Sequence, residues 1–266
     1  MKNTQIISVI NQKGGVGKTT TVINLATALS LYKKKVLVID LDPQGNATTG
    51  FGLSNNDDSK TIYDVLNGNS NFEDAIKDTK VNNLKLVSSN VDLSGIEVEA
   101  ASENRRAFLL KDKIENFING PKNDFSYIFI DCPPSLSLLT IMSLVVAKSL
   151  IVPLQAEFFA LEGLSQLLKT IDRIKIKLNP DLEIRGVLLT MFDKRNKLSA
   201  EVDAEARKFF KGKVYQTVIP RNVRLSEAPS HGVPILIYDK LCAGSRSYSN
   251  FAEEFLKQEN VMESAA

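Results

Sequence analysis

The chain has 266 residues, of which 43% are hydrophobic, which is enough to build one large domain with a full apolar core and argues against a disordered protein. Its cysteines, Cys132 and Cys242, are isolated and its one histidine is His231, which leaves no set of zinc ligands and suits a reducing cytosol. The net charge of +2 conceals an asymmetry, because residues 185–246 hold twelve Lys/Arg against six Asp/Glu. On charge alone, a solvated lysine-rich face explains this surplus as well as a functional surface does.

The amino-terminal residues contain too short an apolar run for a signal peptide. The longest apolar stretch, residues 138–147, is about half of the roughly 20 residues that a membrane-spanning helix needs. We therefore expect a soluble, cytoplasmic protein with no membrane-bound part. We also expect a single domain over residues 1–266 in which the last ~6 residues are disordered.

Short β-branched runs recur along the chain and predict strands that are buried on both faces. They lie at residues 6–10, 35–40, 127–131, 150–154, 185–190 and 214–219. Apolar residues at helical spacing over 22–29 and 164–174 predict amphipathic helices between them. Strands that alternate with helices predict an α/β fold, with a mostly parallel twisted sheet and helices on both faces. The polar segment 54–60 is predicted to be a surface loop.

A glycine-rich sequence, KGGVGKTT at residues 13–20, follows the first predicted strand and matches a phosphate-binding loop (P-loop). Its glycines let successive backbone N–H groups turn toward phosphate oxygens, and the next helix adds the positive end of its dipole. Lys18 is predicted to reach the β- and γ-phosphates, and the Thr19 hydroxyl is predicted to bind Mg²⁺. The predicted nucleotide-binding residues of the loop are Lys13, Gly14, Gly15, Val16, Gly17, Lys18, Thr19 and Thr20.

Acidic residues end two of the predicted strands, at the edge where open α/β sheets bind their ligands. Asp40 and Asp42 lie in VLVIDLDPQGNAT, and Asp131 lies in YIFIDCPPS. Carboxylates beside a triphosphate repel it unless a cation intervenes, so these residues indicate a Mg²⁺ ion. A single aspartate at a strand end could simply cap the next helix, whereas three in these contexts favour the metal. Cys132 beside Asp131 is interpreted as a packing residue, not a nucleophile.

Lys13 is unusual, because the loop already has a lysine for its phosphates. KGGVGKTT, DLDPQGN, EFFALEGL (157–164) and the segment 217–239 together resemble the ParA/Soj branch of the deviant Walker A P-loop ATPases, almost end to end. The resemblance implies that Lys13 acts in trans, on the phosphates of a second subunit in an ATP-dependent homodimer. It further implies catalytic roles for Lys13, Lys18 and Asp42, with Asp42 orienting the attacking water. It implies a Mg²⁺ site in which Thr19 is a ligand, Asp131 holds the ion through water and Asp40 supports the shell of the ion. It also implies an adenine pocket lined by Pro220 and Asn222.

The resemblance also implies a biological role. It implies a slow ATPase that binds DNA non-specifically, associates with the nucleoid, and segregates chromosomes or plasmids with a ParB/Spo0J-like partner that stimulates hydrolysis. Basic residues outside a recognition helix contact phosphates instead of bases, so affinity should fall steeply with salt. The candidate DNA-binding residues are Lys194, Arg195, Lys197, Arg221 and Arg224.

Other branches of the wider family fit less well. Neither cysteine lies in the context needed to bridge an iron–sulfur cluster between subunits, and a P-loop at residue 13 leaves no room for a preceding helix-turn-helix. The carboxyl-terminal stripe around Phe251 and Phe255 lies opposite Glu253 and Glu254, which favours core packing over a MinD-like membrane helix. Two alternatives stay open: a ParA-like ATPase that positions a protein cargo, and a nucleotide-dependent regulatory switch in which turnover is incidental.

Overall fold

A computed structural model describes residues 4–54, 59–157 and 160–265, without the side chains of residues 160–163 and 260–265. Its strands are β1 (Gln5–Val9), β2 (Val36–Asp40), β3 (Ile76–Asp78), β4 (Leu84–Val87), β5 (Tyr127–Asp131), β6 (Ser149–Gln155) and β7 (Glu183–Thr190). Its α-helices are α1 (Lys18–Leu31), α2 (Asn46–Gly50), α3 (Ile62–Leu66), α4 (Ile96–Glu99), α5 (Leu109–Ile118), α6 (Leu138–Val146), α7 (Ala160–Lys177), α8 (Lys197–Phe210), α9 (Val223–Glu227), α10 (Ile235–Tyr238) and α11 (Ala243–Ala265). Short 3₁₀ turns lie at Glu73–Ala75, Val91–Gly95, Ala100–Ser102, Arg106–Phe108 and Ala228–His231.

The described strands form one seven-stranded sheet in the order β3-β4-β2-β5-β1-β6-β7. All neighbours are parallel except β3 and β4, which pair antiparallel. Strands β2 and β5 are buried along their whole length, as expected when helices cover both faces of a parallel sheet. The predicted α/β fold is therefore confirmed.

Alternate residues of the central strands enter different cores, because successive side chains of a strand point to opposite faces. On one face Val38 and Phe129 pack with residues of α1 and α11. On the other face Leu37 and Ile128 pack with residues of α3, α5 and α6. A third cluster joins β6 and β7 to α7 and α8. The sheet is thus held rigidly from both sides, which fixes the loops at its carboxyl edge.

The carboxyl-terminal helix belongs to the core. Tyr248, Phe251 and Phe255 are each at most 1% exposed, so the predicted core packing of this stripe is confirmed. The guanidinium of Arg185 lies 3.9 Å from the ring centroid of Phe255. The backbone of α11 continues to Ala265. In the described part of the chain, no helix is both long and apolar enough to cross a membrane.

The prediction of a strand at residues 214–219 is wrong. This segment makes only isolated bridges to its neighbours, Val187 with Val214 and Phe192 with Pro220. The N–H groups of Gln216 and Thr217 instead donate to the Glu254 carboxylate of α11, at 2.7 and 2.8 Å. The N–H groups of Tyr215 and Ile219 still donate to the Val187 and Leu189 carbonyls of β7, so the ladder is interrupted between them by the Glu254 carboxylate. A local sequence pattern does not reveal such a long-range contact.

Two short strands were missed, β3 and β4, since Lys77 and Lys85 interrupt their apolar runs. Of the loop predicted at 54–60, residues 55–58 lie outside the described residues.

Candidate nucleotide-binding site

The P-loop connects β1 to α1 and depends on two glycines in left-handed conformations. Gly15 has φ of 75° and Gly17, the N-cap of α1, has φ of 89°. A side chain with a Cβ atom is strained in this region of backbone space. Among the described residues, no side chain caps α1, and its first turn carries no acidic residue. The N–H groups at this helix end are therefore available to an anion.

Lys18 lies inside the loop. It is 7% exposed, and its Nζ donates to the carbonyl oxygen of Lys13 at 3.2 Å. Burial lowers the pKa of Lys18, while the carboxylates of Asp131 and Asp42 act in the opposite direction. The ammonium thus lies beside carboxylates in a partly dehydrated position, where its attraction to an anion would be stronger than in water.

Polar residues of neighbouring strands hold the loop in shape. The amide of Asn11 donates from Nδ2 to the Pro153 carbonyl at 2.7 Å, and its Oδ1 accepts the N–H of Lys13 at 3.0 Å. The hydroxyl of Thr190, the last residue of β7, donates to the carbonyl of Val16 at 2.8 Å. The P-loop is therefore tied to β6 and β7 before any ligand arrives.

The register of the sheet brings the predicted acidic residues together. Asp40 of β2 pairs with Asp131 of β5, and Asp131 also pairs with Val9 at the end of β1. Asp42 follows β2, is 6% exposed, and its carboxylate accepts the N–H of Gln44 at 3.0 Å. Carboxylates and phosphate loop thus share one edge, as sequence reasoning predicted.

The carboxylate of Asp40 accepts hydrogen bonds from nearby groups of the protein. Its Oδ2 accepts the N–H of Thr48 at 2.8 Å and the Thr48 hydroxyl at 2.7 Å, and its Oδ1 accepts the N–H of Asp42 at 3.3 Å. Burial raises the pKa of Asp40 to about 6, even though the bonds from Thr48 act in the opposite direction. These contacts favour a role in fixing the Asp42 loop over direct ligation.

The carboxyl oxygens of Asp131 are able to bind a further group. Asp131 is fully buried, and neither of its oxygens has a partner with regular hydrogen-bond geometry among the described residues. Burial raises the pKa of Asp131 well above its usual range and nearby Asp40 adds to the shift, whereas the Thr19 hydroxyl and Lys18 lower it. A buried carboxyl group that accepts no regular hydrogen bond is costly, and a cation beside it would lower that cost.

Thr19 and Asp131 fit a Mg²⁺ ion, which prefers hard oxygen ligands and is commonly bound by one or two protein groups plus substrate phosphates and water. Within the described ranges, no cluster of three or more His, Cys, Asp or Glu side chains could hold a metal alone. Thr19 and Asp131 alone would leave the other coordination positions of such an ion to nucleotide phosphates and water.

Two adjoining clefts open beside the loop. The first, of about 460 Å³, is lined by Gly14, Gly15, Gly17, Lys18, Thr19, Thr20, Asp42 and neighbouring residues. The second, of about 330 Å³, shares Gly17, Thr20 and Met191 with the first and is also lined by Pro220 and Asn222. The Oδ1 atom of Asn222 is buried and has no hydrogen-bond partner in the part of the chain that the structure describes. Together the clefts have room for a polyphosphate at the loop and a planar group next to it.

Several predicted residues lie outside these clefts. Val16 is buried at 1% exposure, with its carbonyl bound to Thr190. Lys13 lines neither cleft, and its side chain is 50% exposed and forms an ion pair with Glu157.

Cys132 is fully buried, its Sγ lies 3.0 Å from Ser143 Oγ, and burial raises its pKa to about 12, so its packing role is confirmed.

The basic candidates form a looser group. Lys194, Arg195 and Arg221 line one open depression of about 820 Å³, and this depression contains no residue of the P-loop. Arg195 is 91% exposed and is paired with Asp193, whose pKa its guanidinium lowers to about 2. Arg224 pairs with Glu227 at 2.9 Å, and Lys197, exposed at the start of α8, does not line the depression. The structure thus brings three of the five together.

Sequence reasoning missed residues that support the site from outside it. Thr48 orients Asp40, Thr190 holds Val16, and Glu157 pairs with Lys13. A polar residue at the carboxyl end of an otherwise apolar strand was the available signal for Thr190. Thr48 and Glu157 meet their partners from separate segments, so their roles needed the fold.

Comparisons with known proteins agree with this geometry. A family model described as an AAA domain matches residues 4–184. The chain is 49% identical over 263 residues to the chromosome partitioning protein ParA of Caulobacter vibrioides, covering 98% of this chain and 97% of that one. It is also 49% identical over 250 residues to the sporulation initiation inhibitor protein Soj of Bacillus subtilis, covering 94% and 97%.

Among solved structures, cobyrinic acid a,c-diamide synthase of Mycobacterium smegmatis, with a bound ATP analogue and magnesium, superimposes with a TM-score of 0.84. Its identity to this chain is 33%, and the match covers 96% of this chain and 94% of that one.

Proposed function

Because the chain belongs to the ParA/Soj family of chromosome-partitioning ATPases, we propose that it is a Mg-ATP-dependent dimerising ATPase. In this proposal the ATP-bound dimer binds DNA non-specifically in the cytoplasm, on the nucleoid, and moves chromosome or plasmid DNA. A ParB/Spo0J-like partner stimulates its slow hydrolysis and so releases it from DNA.

The contrast between the two lysines of the P-loop carries the proposal. Lys18 is 7% exposed and points into the loop, whereas the side chain of Lys13 is 50% exposed and lines neither cleft. One buried lysine suffices for the phosphates of the chain's own nucleotide. The second, at the mouth of the loop, is available to the triphosphate of another subunit, where it would act as an arginine finger does.

The proposed chemistry needs positioning more than covalent steps. The N–H groups at the start of α1 and the Lys18 ammonium bind the phosphates. Thr19 and Asp131 would hold a Mg²⁺ ion, which supplies charge neutralisation between the phosphate oxygens when bound. Asp42, kept in place by the Asp40–Thr48 contacts, orients the attacking water and accepts its proton.

The choice of ATP over GTP rests on the similarity to the ParA/Soj ATPases. The second cleft offers a polar group to the base, because the buried Oδ1 of Asn222 has no hydrogen-bond partner among the described residues. We therefore place the adenine ring against Pro220 and Asn222.

The exposed basic residues supply the proposed DNA contact. A dimer doubles the number of cations on one particle, and phosphate binding grows steeply with the number of cations engaged. This gives ATP a physical means of switching DNA binding on, without any base contact.

Size and DNA binding measured with ADP, with ATP and with the Asp42→Ala variant test the proposal. We expect monomers with ADP, dimers that bind unrelated duplexes with ATP, and a persistent ATP-bound dimer in Asp42→Ala whose turnover falls by about 100-fold or more. An Asp42→Ala variant that hydrolyses ATP at the normal rate would remove Asp42 from the mechanism.

A protein that stays monomeric with ATP would overturn the proposed cycle. An ATP-dependent dimer that ignores DNA would instead indicate a protein cargo or a regulatory switch.

A further inference from the structure

The ion pair between Lys13 and Glu157 spans the mouth of the P-loop. Its lysine is the one that the proposed function assigns to a second subunit, yet here its ammonium is bound by a carboxylate of its own chain. The Lys13 side chain is 50% exposed and that of Glu157 is 32% exposed, so the pair is accessible to water and to ligands. In an exposed ion pair, either residue can leave its partner and bind another charged group at a low cost in free energy.

Both ends of the pair stand on the same rigid frame. The N–H of Lys13 is fixed by Asn11, whose Nδ2 is bound to Pro153 of β6. Glu157 follows β6 by two residues, and the preceding N–H, of Ala156, donates to the Thr190 carbonyl at 3.2 Å. The Thr190 hydroxyl in turn holds Val16 of the P-loop. The two charged side chains therefore face each other because the backbone holds them there.

We propose that Glu157 is a positioning residue for Lys13, which keeps the lysine on its own subunit until ATP draws two subunits together. This inference rests on the proposed function, in which Lys13 serves the triphosphate of a second copy of the chain. One ammonium cannot stay on Glu157 and also reach across a dimer interface. Each dimer that forms must then break two of these pairs.

The pair makes dimerisation sensitive to the charge of the nucleotide. A triphosphate carries more negative charge than a diphosphate and competes better with the single carboxylate of Glu157 for the lysine. After hydrolysis the attraction between Lys13 and the nucleotide of the other subunit falls. Lys13 then pairs with Glu157 again as the subunits separate. Because the pair is half exposed, it biases the equilibrium without blocking it.

The test compares dimer affinity for the wild-type chain and Glu157→Gln, by sedimentation with Mg²⁺ and a non-hydrolysable ATP analogue. Two exposed pairs are broken per dimer, so Glu157→Gln should tighten dimerisation about two- to thirty-fold. The gain should shrink at high salt, which screens exposed pairs. Glu115→Gln is the matched control, since Glu115 pairs with Lys111 at similar exposure on α5, and it should leave dimer affinity unchanged.

A double-mutant cycle separates a role through Lys13 from a general effect of removing a carboxylate. Lys13→Gln itself should weaken the dimer, so this arm is measured at protein concentrations high enough to populate it, and there Glu157→Gln should add nothing. An equal gain in both backgrounds would overturn the proposal, as would wild-type or weaker dimerisation of Glu157→Gln. If the wild-type chain and Glu157→Gln both stay monomeric with the analogue, the proposed function itself fails, which is a different result from a normal dimer that ignores Glu157.

Discussion

The carboxyl edge of the sheet and the basic loops after β7 use charge in opposite ways. At the sheet edge, Lys18, Asp40 and Asp131 are nearly or fully buried. The pairing of β2 with β5 fixes the two aspartates, and Lys18 donates to a carbonyl of the P-loop. In the basic loops, Arg195 and Arg224 are exposed and are held by acidic residues two or three positions away on the same segment.

This difference shows what each region can do. Buried groups lose much of their hydration, so each interaction is strong and depends on geometry. Exposed cations interact weakly one at a time, and their effect depends on how many act together. Single substitutions should therefore have large effects at the sheet edge and small effects in the loops.

The largest effect is expected for Lys18→Ala. Its removal leaves the phosphates in a partly dehydrated cleft without their cation, so ATP affinity should fall by about 30-fold or more. Calorimetric titration with Mg-ATP measures this loss. Lys122→Ala, which removes an exposed lysine from the loop before β5, is the control and should bind ATP normally. Unchanged ATP affinity in Lys18→Ala would contradict the expectation that single substitutions at the buried sheet edge have large effects.

A pair of isosteric variants sharpens the contrast within the sheet edge itself. Asp40→Asn should lower the free energy of unfolding by about 1–3 kcal/mol, because an amide has one acceptor oxygen and cannot accept both the bonds from Thr48 and the bond from Asp42. Asp131→Asn should change stability little, because neither Asp131 oxygen accepts a regular hydrogen bond among the described residues. It should raise the Mg²⁺ concentration needed for half-maximal ATPase activity by about ten-fold.

Denaturant unfolding without nucleotide and Mg²⁺ titration of turnover measure the two effects separately. Stability lost in Asp131→Asn, together with a metal requirement changed mainly in Asp40→Asn, would reverse the two assignments.

The sequence predicted the sheet edge well because its signals are local. Strand, glycine turn and helix follow one another within residues 5–31, and each carboxylate ends a recognisable apolar run. The fold class follows from the same alternation of elements. Parallel pairing then brings Asp40 and Asp131 together without further information.

What the sequence could not provide are contacts between distant segments. The Glu254 carboxylate of α11 accepts hydrogen bonds from the N–H groups of Gln216 and Thr217, which interrupts the predicted last strand. The bonds from Thr48 to Asp40, which favour a supporting role for Asp40 beside the predicted Mg²⁺ site, also follow from no local pattern. The acidic partners of Arg195 and Arg224 are close in sequence, but side-chain pairing of exposed residues follows from no periodic pattern.

The smallest effect is expected for Arg224→Ala. Its guanidinium lies 2.9 Å from Glu227 and 3.8 Å from Asp239, and it must leave these carboxylates before it can bind a DNA phosphate. The net loss of DNA affinity should therefore be only about two- to five-fold, with the salt dependence reduced by about one counterion. Arg221→Ala is the matched comparison, since Arg221 lines the depression that also contains Lys194 and Arg195.

Fluorescence anisotropy with unrelated duplexes over a salt series measures both variants in the presence of the ATP analogue. Equal small losses on every duplex are expected, because cations that contact phosphates do not distinguish sequences. A loss confined to one duplex would mean that Arg224 contacts a base. One exposed, screened charge among several should contribute only a small part of the DNA affinity. A loss of 100-fold or more would therefore mean that this exposed region depends on geometry as strictly as the buried edge does.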